Sequence, residues 1–424
     1  MRPSVSQSVL SASLALLSFA PLPAQTAGTL DPTFHGTGIV LPAMSGRFRG
    51  VAVQPDGRIV AAGTEFVAAG TWRWTVQRFL DDGSADASFG SAGVVSLFGA
   101  SNADEANQLV LDGAGRILVV GTSVHLSHMD VTVVRLNPDG TLDGTFGAGG
   151  VTRVHGGFKN TGSSWGRALA LDGSGRIVVA GLTSGKRDLD MVLARLTANG
   201  ALETSFGGGA GKLIDDLGTS YDAPWYGSLA VQPDGRIFVG GFAGSGSSAT
   251  GGWYVMRYLS SGALDPSWGS GGRVNQAFPG MSYPRLMGLQ LLADGSVLTS
   301  GRIRNDVGGS YFDCLVARYT AAGTLDPTFH GTGYATSGVA GDDQGYTNLV
   351  VQPDGKPVVG TGKDGVITCV RMQADGSLDA GFGTGGLATG AGGGFPWGVC
   401  RDGAGRILVA GELGGPALVR YLGN

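Results

Sequence analysis

Gln54-Pro55-Asp56-Gly57-Arg58-Ile59-Val60 decides the reading of this chain, because the stretch does not occur only once. It returns as Asp112-Gly113-Ala114-Gly115-Arg116-Ile117-Leu118 and as Asp172-Gly173-Ser174-Gly175-Arg176-Ile177-Val178. Further copies lie at Gln232 to Ile237, Ala293 to Val297, Gln352 to Lys356 and Asp402 to Leu408. The leading Asp stands at 56, 112, 172, 234, 294, 354 and 402, a period of 48–62 residues. Each copy suits a tight hairpin turn: Pro presets φ, Asp bonds its own backbone, and Gly takes the positive φ. Self-similarity at such a period marks a repeat architecture.

Two further markers keep the same count. An Arg closes a β-type run at Arg78, Arg135, Arg195, Arg257, Arg318, Arg371 and Arg420. An aromatic followed by Gly recurs at Phe34, Phe89, Phe146, Phe206, Trp268, Phe329 and Phe382, with a His in place of the Gly after Phe34 and Phe329. Between the markers, apolar residues alternate or cluster in short runs with no helical period. Four strands per copy follow: A ends at the turn, B leaves it, C ends at the Arg, and D follows the aromatic, as in Gly93 to Phe98. Four-stranded antiparallel units in this number predict an all-β, seven-bladed β-propeller. The chain opens on an isolated D-type segment, Leu30 to Leu41, and finishes on A, B and C at Trp397 to Leu422. The first segment is therefore expected to complete the last blade and remove the open sheet edges. Residues 25–424 read as one propeller domain.

The pattern Leu-Asp-Pro-Thr-Phe followed by Gln-Pro-Asp-Gly-Arg-Ile-Val resembles the delta-60 repeat family, most closely at Leu325 to Phe329 and Leu142 to Gly147. Glu203 departs from it, standing where the other copies carry Asp. The resemblance implies an exported or surface-located bacterial propeller. It implies no reaction and no catalytic residues.

Composition agrees with strands. Gly accounts for 78 of 424 residues, well above the usual share of about 7%, and interior Gly disfavours long helices. A net charge of −4, with the basic residues scattered singly, gives no stripe for nucleic acid. Residues 1–24 read as a secretory signal: Arg2, an apolar run from Val9 to Ala20, and Leu22-Pro23-Ala24 at the cleavage point. The run is shorter than the roughly 20 residues of a membrane span, so a secreted, periplasmic or surface location without a span is expected. Cys314, Cys369 and Cys400 read as small buried thiols, with one disulfide as the alternative.

The A–B and C–D turns are short and alike and share one face. The D–A and B–C connections differ in every copy and share the other, where binding is expected. The D–A connection Asp215 to Tyr226 carries Asp215, Asp216, Tyr221, Asp222, Trp225 and Tyr226. Trp165 and Trp397 mark two others, and Asp104, Glu105, Tyr283, Asp342, Asp343 and Tyr346 lie in further ones. B–C connections add Trp72, His125, His128, Asp130, Lys186, Arg187, Asp188, Trp253, Arg304, Asp306 and Tyr311. Aromatics beside carboxylates suit sugars, so Asp215, Asp216, Asp222, Trp225, Tyr226, Trp165 and Trp397 are the ligand-binding candidates. The competing reading packs these rings between blades.

No cofactor is assigned, although the Asp cluster suits Ca²⁺ chemistry. His125, His128 and Asp130 would need the loop to fold back and a third strong ligand before they held a metal, and no metal ligand is assigned. Gly162 to Gly166 matches G-x-S-x-G, but lacks the strand-to-helix turn of a nucleophile elbow. Gly207 to Lys212 lacks the Gly and the hydroxyl of a phosphate loop. The expected function is therefore a monomeric binding or scaffold module for an extracellular glycan or protein surface. The rival is a lyase or hydrolase near the central channel, with His125 or His155 as acid or base.

Overall fold

The computed structural model describes residues 26–423 except 69, 157–161, 185–187, 245–250, 307–310 and 339–347. The side chains of 68, 100, 221, 225, 226, 311 and 391 also lie outside the described residues, as do residues 1–25 and with them the expected export signal. The chain forms the expected seven-bladed propeller of four-stranded antiparallel blades. In blade 1, A is Gly46–Val53, B is Ile59–Ala68, C is Thr71–Phe79 and D is Val94–Ser101. The following blades span 105–154, 164–215, 221–276, 281–336 and 349–392. Blade 7 takes A, B and C from Gly394–Arg401, Ile407–Leu413 and Pro416–Tyr421, and its D strand from Ile39–Val40 at the other end of the chain. Ile39 pairs with Val419 and Val40 with Leu418, and Gly28 N–H and Leu422 N–H extend the seam to Leu422 and Thr29 carbonyls.

The three sequence markers are parts of one device. In all seven repeats the guanidinium that ends strand C meets the acid of the Leu-Asp-x-x-aromatic segment at 2.7–3.2 Å, from Arg78–Asp86 to Arg420–Asp31. Five of these guanidiniums lie 4.4–4.8 Å from the ring centroid of the following Phe. In six repeats the same Arg also donates to a backbone carbonyl beyond its own blade: Pro138, Ala198, Ser260, Ala321, Gly423 and Asp81. The residue after the aromatic donates its N–H to that neighbouring turn in all seven, at 2.6–3.0 Å, as in Gly90 to Asp139 and His35 to Asp82. This residue is left-handed, with φ of 52° at both Gly90 and His35 and 53° at His330. That is why the position holds Gly five times and otherwise His, among the side chains that tolerate this region best. The ring itself slides under the turn glycine of the next blade, where a Cβ on Gly140 would stand 2.9 Å from Phe89.

Between the blades, burial is divided equally. Seven hydrophobic clusters each draw on two neighbouring blades, such as Val120 and Val133 with Leu169 and Val179, or Phe48 and Phe79 with Leu408 and Leu418. Near the loop face, strand A carries a β-bulge in six blades among the described residues, between Phe48 and Gly50 in the first and Ala106 and Gln108 in the second. Beside each bulge the partner strand B has a glycine: Gly63, Gly121, Gly181, Gly241, Gly301 or Gly411. A Cβ there would come within 1.9–2.5 Å of an A-strand carbonyl oxygen, so the backbones approach closer than any side chain permits.

Two outcomes follow from these contacts. Gly121→Ala sets a methyl 2.0 Å from the Glu105 carbonyl and 2.6 Å from the Trp74 ring; urea unfolding should register a loss of about 1–3 kcal/mol, whereas a null effect would mean the bulge is soft. Asp143→Asn unpairs the buried Arg135 guanidinium, for an expected loss of about 3–5 kcal/mol at neutral pH. Hydrogen bonds from Thr145, outweighing burial, and the Arg135 charge hold the Asp143 carboxyl at about 2. Its stabilisation is therefore complete above the unfolded value near 3.9 and disappears as pH falls through about 2. The gap between variant and wild type should narrow by about 2–3 kcal/mol over that window.

Candidate functional site

The face bearing the A–B and C–D turns is occupied by the repeated clamp, so unspent side-chain chemistry gathers at the other end. Strands A, the innermost of each blade, enclose a channel of about 430 Å³. One equivalent position in all seven blades lines it with an aliphatic side chain: Val51, Leu109, Leu169, Leu229, Leu289, Leu349 and Val399. The polar residues of the wall are employed structurally. Gln108 Oε1 accepts from Leu169 N–H at 2.7 Å and Gln290 Oε1 from Val351 N–H at 2.9 Å, each in the next blade. Among the described residues, the lining contains no histidine and no carboxylate.

At the loop-face mouth, Arg49 takes Glu105 at 3.0 Å and also donates to Asn107, which donates in turn to the Gly166 carbonyl at 2.7 Å. Against its burial, Arg49 and Arg167 hold the Glu105 carboxyl below the usual carboxylate range. Trp397 belongs to this cluster. It is only 6% exposed, with Arg49 and Arg47 stacked at 4.6 and 5.4 Å, so its ring is packed into the blade contact. Trp253 is likewise buried in the core. Arg47 also faces the half-buried rings of Phe66 and Trp72, at 5.2 and 5.9 Å. Trp165 is half-buried in strand A of blade 3, Ser164–Leu171.

The stretch expected as the fourth D–A connection is mostly strand: Asp215 ends strand D (Lys212–Asp215), only 216–220 connect, and Asp222, Trp225 and Tyr226 belong to strand A (Tyr221–Val231). Asp215 is spent on blade 4, accepting from Tyr258 Oη and Arg273 Nη2. Asp216 and Asp222 instead turn toward Asp190, in strand C of blade 3 (Leu189–Leu196), and the three offer carboxylate oxygens within 4.8 Å of one another. The loop sets this arrangement: Leu217 N–H and Thr219 Oγ1 donate to Asp222, and Gly218 N–H donates to Asp216. Asp222 is fully buried, Asp190 is 5% exposed, and Asp190 Oδ1 has no hydrogen-bond partner among the described residues. Burial first, then the charges of Asp188, Asp216 and Asp222, push the Asp190 carboxyl up to about 6. Asp222 is raised as well, burial outweighing its hydrogen bonds. The side chains of Trp225 and Tyr226, with Lys186, Arg187, Asp342, Asp343 and Tyr346, lie outside the described residues.

Asp190 was not among the sequence candidates, yet it had a signal. It stands five residues before the Arg that closes strand C, as do Asp130 before Arg135 and Asp313 before Arg318. All three are buried. In blade 2, Asp130 is surrounded by His155 at 2.8 Å, His128 at 3.6 Å and His125 at 3.7 Å. In blade 5, Asp313 accepts from Ser337 Oγ, and burial raises its carboxyl.

Five of the seven repeats match one family. Residues 54–89, 115–146, 173–206, 232–267 and 292–329 match the family described as a domain of unknown function (DUF5122) beta-propeller. No match is found among curated proteins. Among solved structures, a protein from Lactobacillus plantarum is similar at 16% identity and a TM-score of 0.50, over 80% of this chain and 85% of that one. Drosophila Semaphorin 2a is similar at 10% identity and a TM-score of 0.51, over 90% and 75%. An alpha-L-arabinanase from Penicillium chrysogenum, complexed with arabinobiose, overlaps at 10% identity and a TM-score of 0.46, over 91% and 96%. At these identities the likeness concerns the fold.

The raised Asp190 carboxyl gives the site a pH signature. The unfolded chain loses this proton near 3.9 and the folded chain only near 6. The group's contribution to stability is thus intact below about 4 and is lost as pH rises through about 6. In calcium-free buffer, the Tm of Asp190→Asn minus that of the wild type should climb between pH 4 and 6 and then level; a flat difference would contradict the buried cluster.

Proposed function

We propose that this chain is an exported binding module of the delta-60 repeat type, monomeric, whose loop face takes an extracellular glycan or protein surface. One observation carries the reading. The repeated side chains are consumed by the clamp and the described channel lining holds no His or carboxylate, whereas the non-repeated clusters around Asp190 and around Trp72 lie on the loop face. Unique chemistry gathered at the strand ends and variable connections of one face of a rigid repeat scaffold is what recognition uses.

Ca²⁺ is the cofactor this reading adds. A hard cation with oxygen ligands at 2.3–2.6 Å bridges opposed oxygens up to about 4.8 Å apart, and carboxylate oxygens of Asp190, Asp216 and Asp222 lie within 4.8 Å of one another. Such an ion would neutralise the buried carboxylates and fix the fourth D–A connection beside the ligand. Trp72 and Phe66, half-buried and 5.2 Å apart, offer the apolar platform on which a sugar face stacks.

Calcium at tenfold over its Kd should stabilise the chain by about 1.4 kcal/mol, an effect lost in Asp190→Asn. On glycan arrays and in pull-downs of extracellular proteins, binding should fall with EDTA and with Asp216→Asn or Trp72→Ala. Binding indifferent to all three would remove this face from consideration. In the producing cell, the chain should be recovered outside the cytoplasm, processed near Ala24.

A further inference from the structure

His125 and His128 are directly paired across the B–C hairpin of blade 2, whose two-residue tip is Leu126-Ser127. Leu126 takes a φ of 58° and is 84% exposed, so the tip stands in solvent. Directly opposed residues of an antiparallel pair share one face of the sheet, and Asp130 returns to that face two residues after His128. Strand D ends at Val154, opposite Val131, which delivers His155 beside Asp130. Four potential ligands from two segments thus converge by strand register alone.

We propose that this cluster is a site for a borderline divalent transition metal of the Zn²⁺ type. His125, His128 and Asp130 each offer one ligand atom, and these atoms lie within 4.8 Å of one another. Tetrahedral metal–nitrogen and metal–oxygen bonds of about 2.0–2.2 Å set ligand atoms roughly 3.3–3.5 Å apart, so His125, on the exposed hairpin tip, closes inward when the metal binds. The imidazole-rich donor set selects Zn²⁺, Cu²⁺ or Ni²⁺ over Ca²⁺ and Mg²⁺, which separates it from the carboxylate site of blade 3.

His155 is the positioning residue. Its Nδ1 meets Asp130 Oδ1 at 2.8 Å, the outer-shell contact that commonly orients a ligating group. Its Nε2 is buried and has no hydrogen-bond partner among the described residues. The His128 and His155 rings meet edge to face at 4.5 Å, fixing both planes. Lys212 Nζ donates to the His155 carbonyl, holding that segment from blade 3. Asp130 is 3% exposed at its side chain; a buried carboxylate ringed by imidazoles is suited to a cation.

The test uses the untagged full domain, stripped with EDTA and titrated with ZnCl₂, and with CoCl₂ as a spectroscopic probe. One equivalent of Zn²⁺ should bind, with tetrahedral Co²⁺ absorption bands. His125→Ala and His128→Ala should each weaken binding at least tenfold, and His155→Ala by 10–100-fold with altered Co²⁺ bands. All three should keep the wild-type Tm in the absence of metal to within a few degrees. Asp190→Asn and the double variant His35→Ala/His330→Ala should bind Zn²⁺ as the wild type does. Absence of saturable binding, or binding that survives His125→Ala/His128→Ala, would overturn the site. Neither result bears on glycan recognition, which is read without added zinc.

Discussion

The ring depends on a guanidinium placed at the end of each C strand. It neutralises the acid of its own blade, lies against its own aromatic and, in six repeats, reaches a carbonyl past the blade boundary. A buried ion pair alone is weak evidence of stability, since desolvation offsets attraction. Here further hydrogen bonds from Ser or Thr hydroxyls, such as Ser267 to Asp265 at 2.6 Å, complete the acid's shell. Those bonds and Arg257 overcome the penalty of burial and hold the Asp265 carboxyl at about 2. The result is a charge that is fully satisfied only when the neighbouring blade is in place. At the seam the same clamp is assembled from Arg420 and Asp31, so closure of the circle repeats an interaction used elsewhere.

Commitment of the repeated residues to architecture leaves function to the exceptions. One C-strand position, just inside the loop face, carries Asp in blades 2, 3 and 5. In each case the residues arriving from the end of strand D differ: His155 in blade 2, Asp216 in blade 3 and Ser337 in blade 5. A single buried carboxylate thereby becomes an imidazole cluster, an acidic cluster or a hydroxyl-satisfied pair. Variation of the connections on a constant frame changes local chemistry without altering the blade.

Glycine has two separate roles in this variation. At the left-handed position after the aromatic it supplies a conformation, and His35 and His330 show that another residue is tolerated there. Beside the strand-A bulge it supplies space, because the carbonyl of the bulged strand lies where a Cβ would be. The bulge in turn re-aims residues such as Arg49 and Asn107 toward the channel mouth, where they tie three blades together.

By itself the sequence determined the strand count, the seven blades and the pairing of the first strand with the last, because turns, Arg and aromatic recur in step and each is local chemistry. It also separated a constant face from a variable one. It could not decide which side chains on the variable face meet. Asp215 lies next to Asp216 in the chain, yet one is bound to Tyr258 and Arg273 while the other faces Asp190. Trp397, expected in a variable connection, lies in strand A of blade 7 and is buried under arginines. His155 is separated from His128 by a whole strand D connection but touches it through register. Those meetings depend on which way each strand's end points and on how closely neighbouring blades pack, quantities set by the closed ring and not by any short stretch of residues.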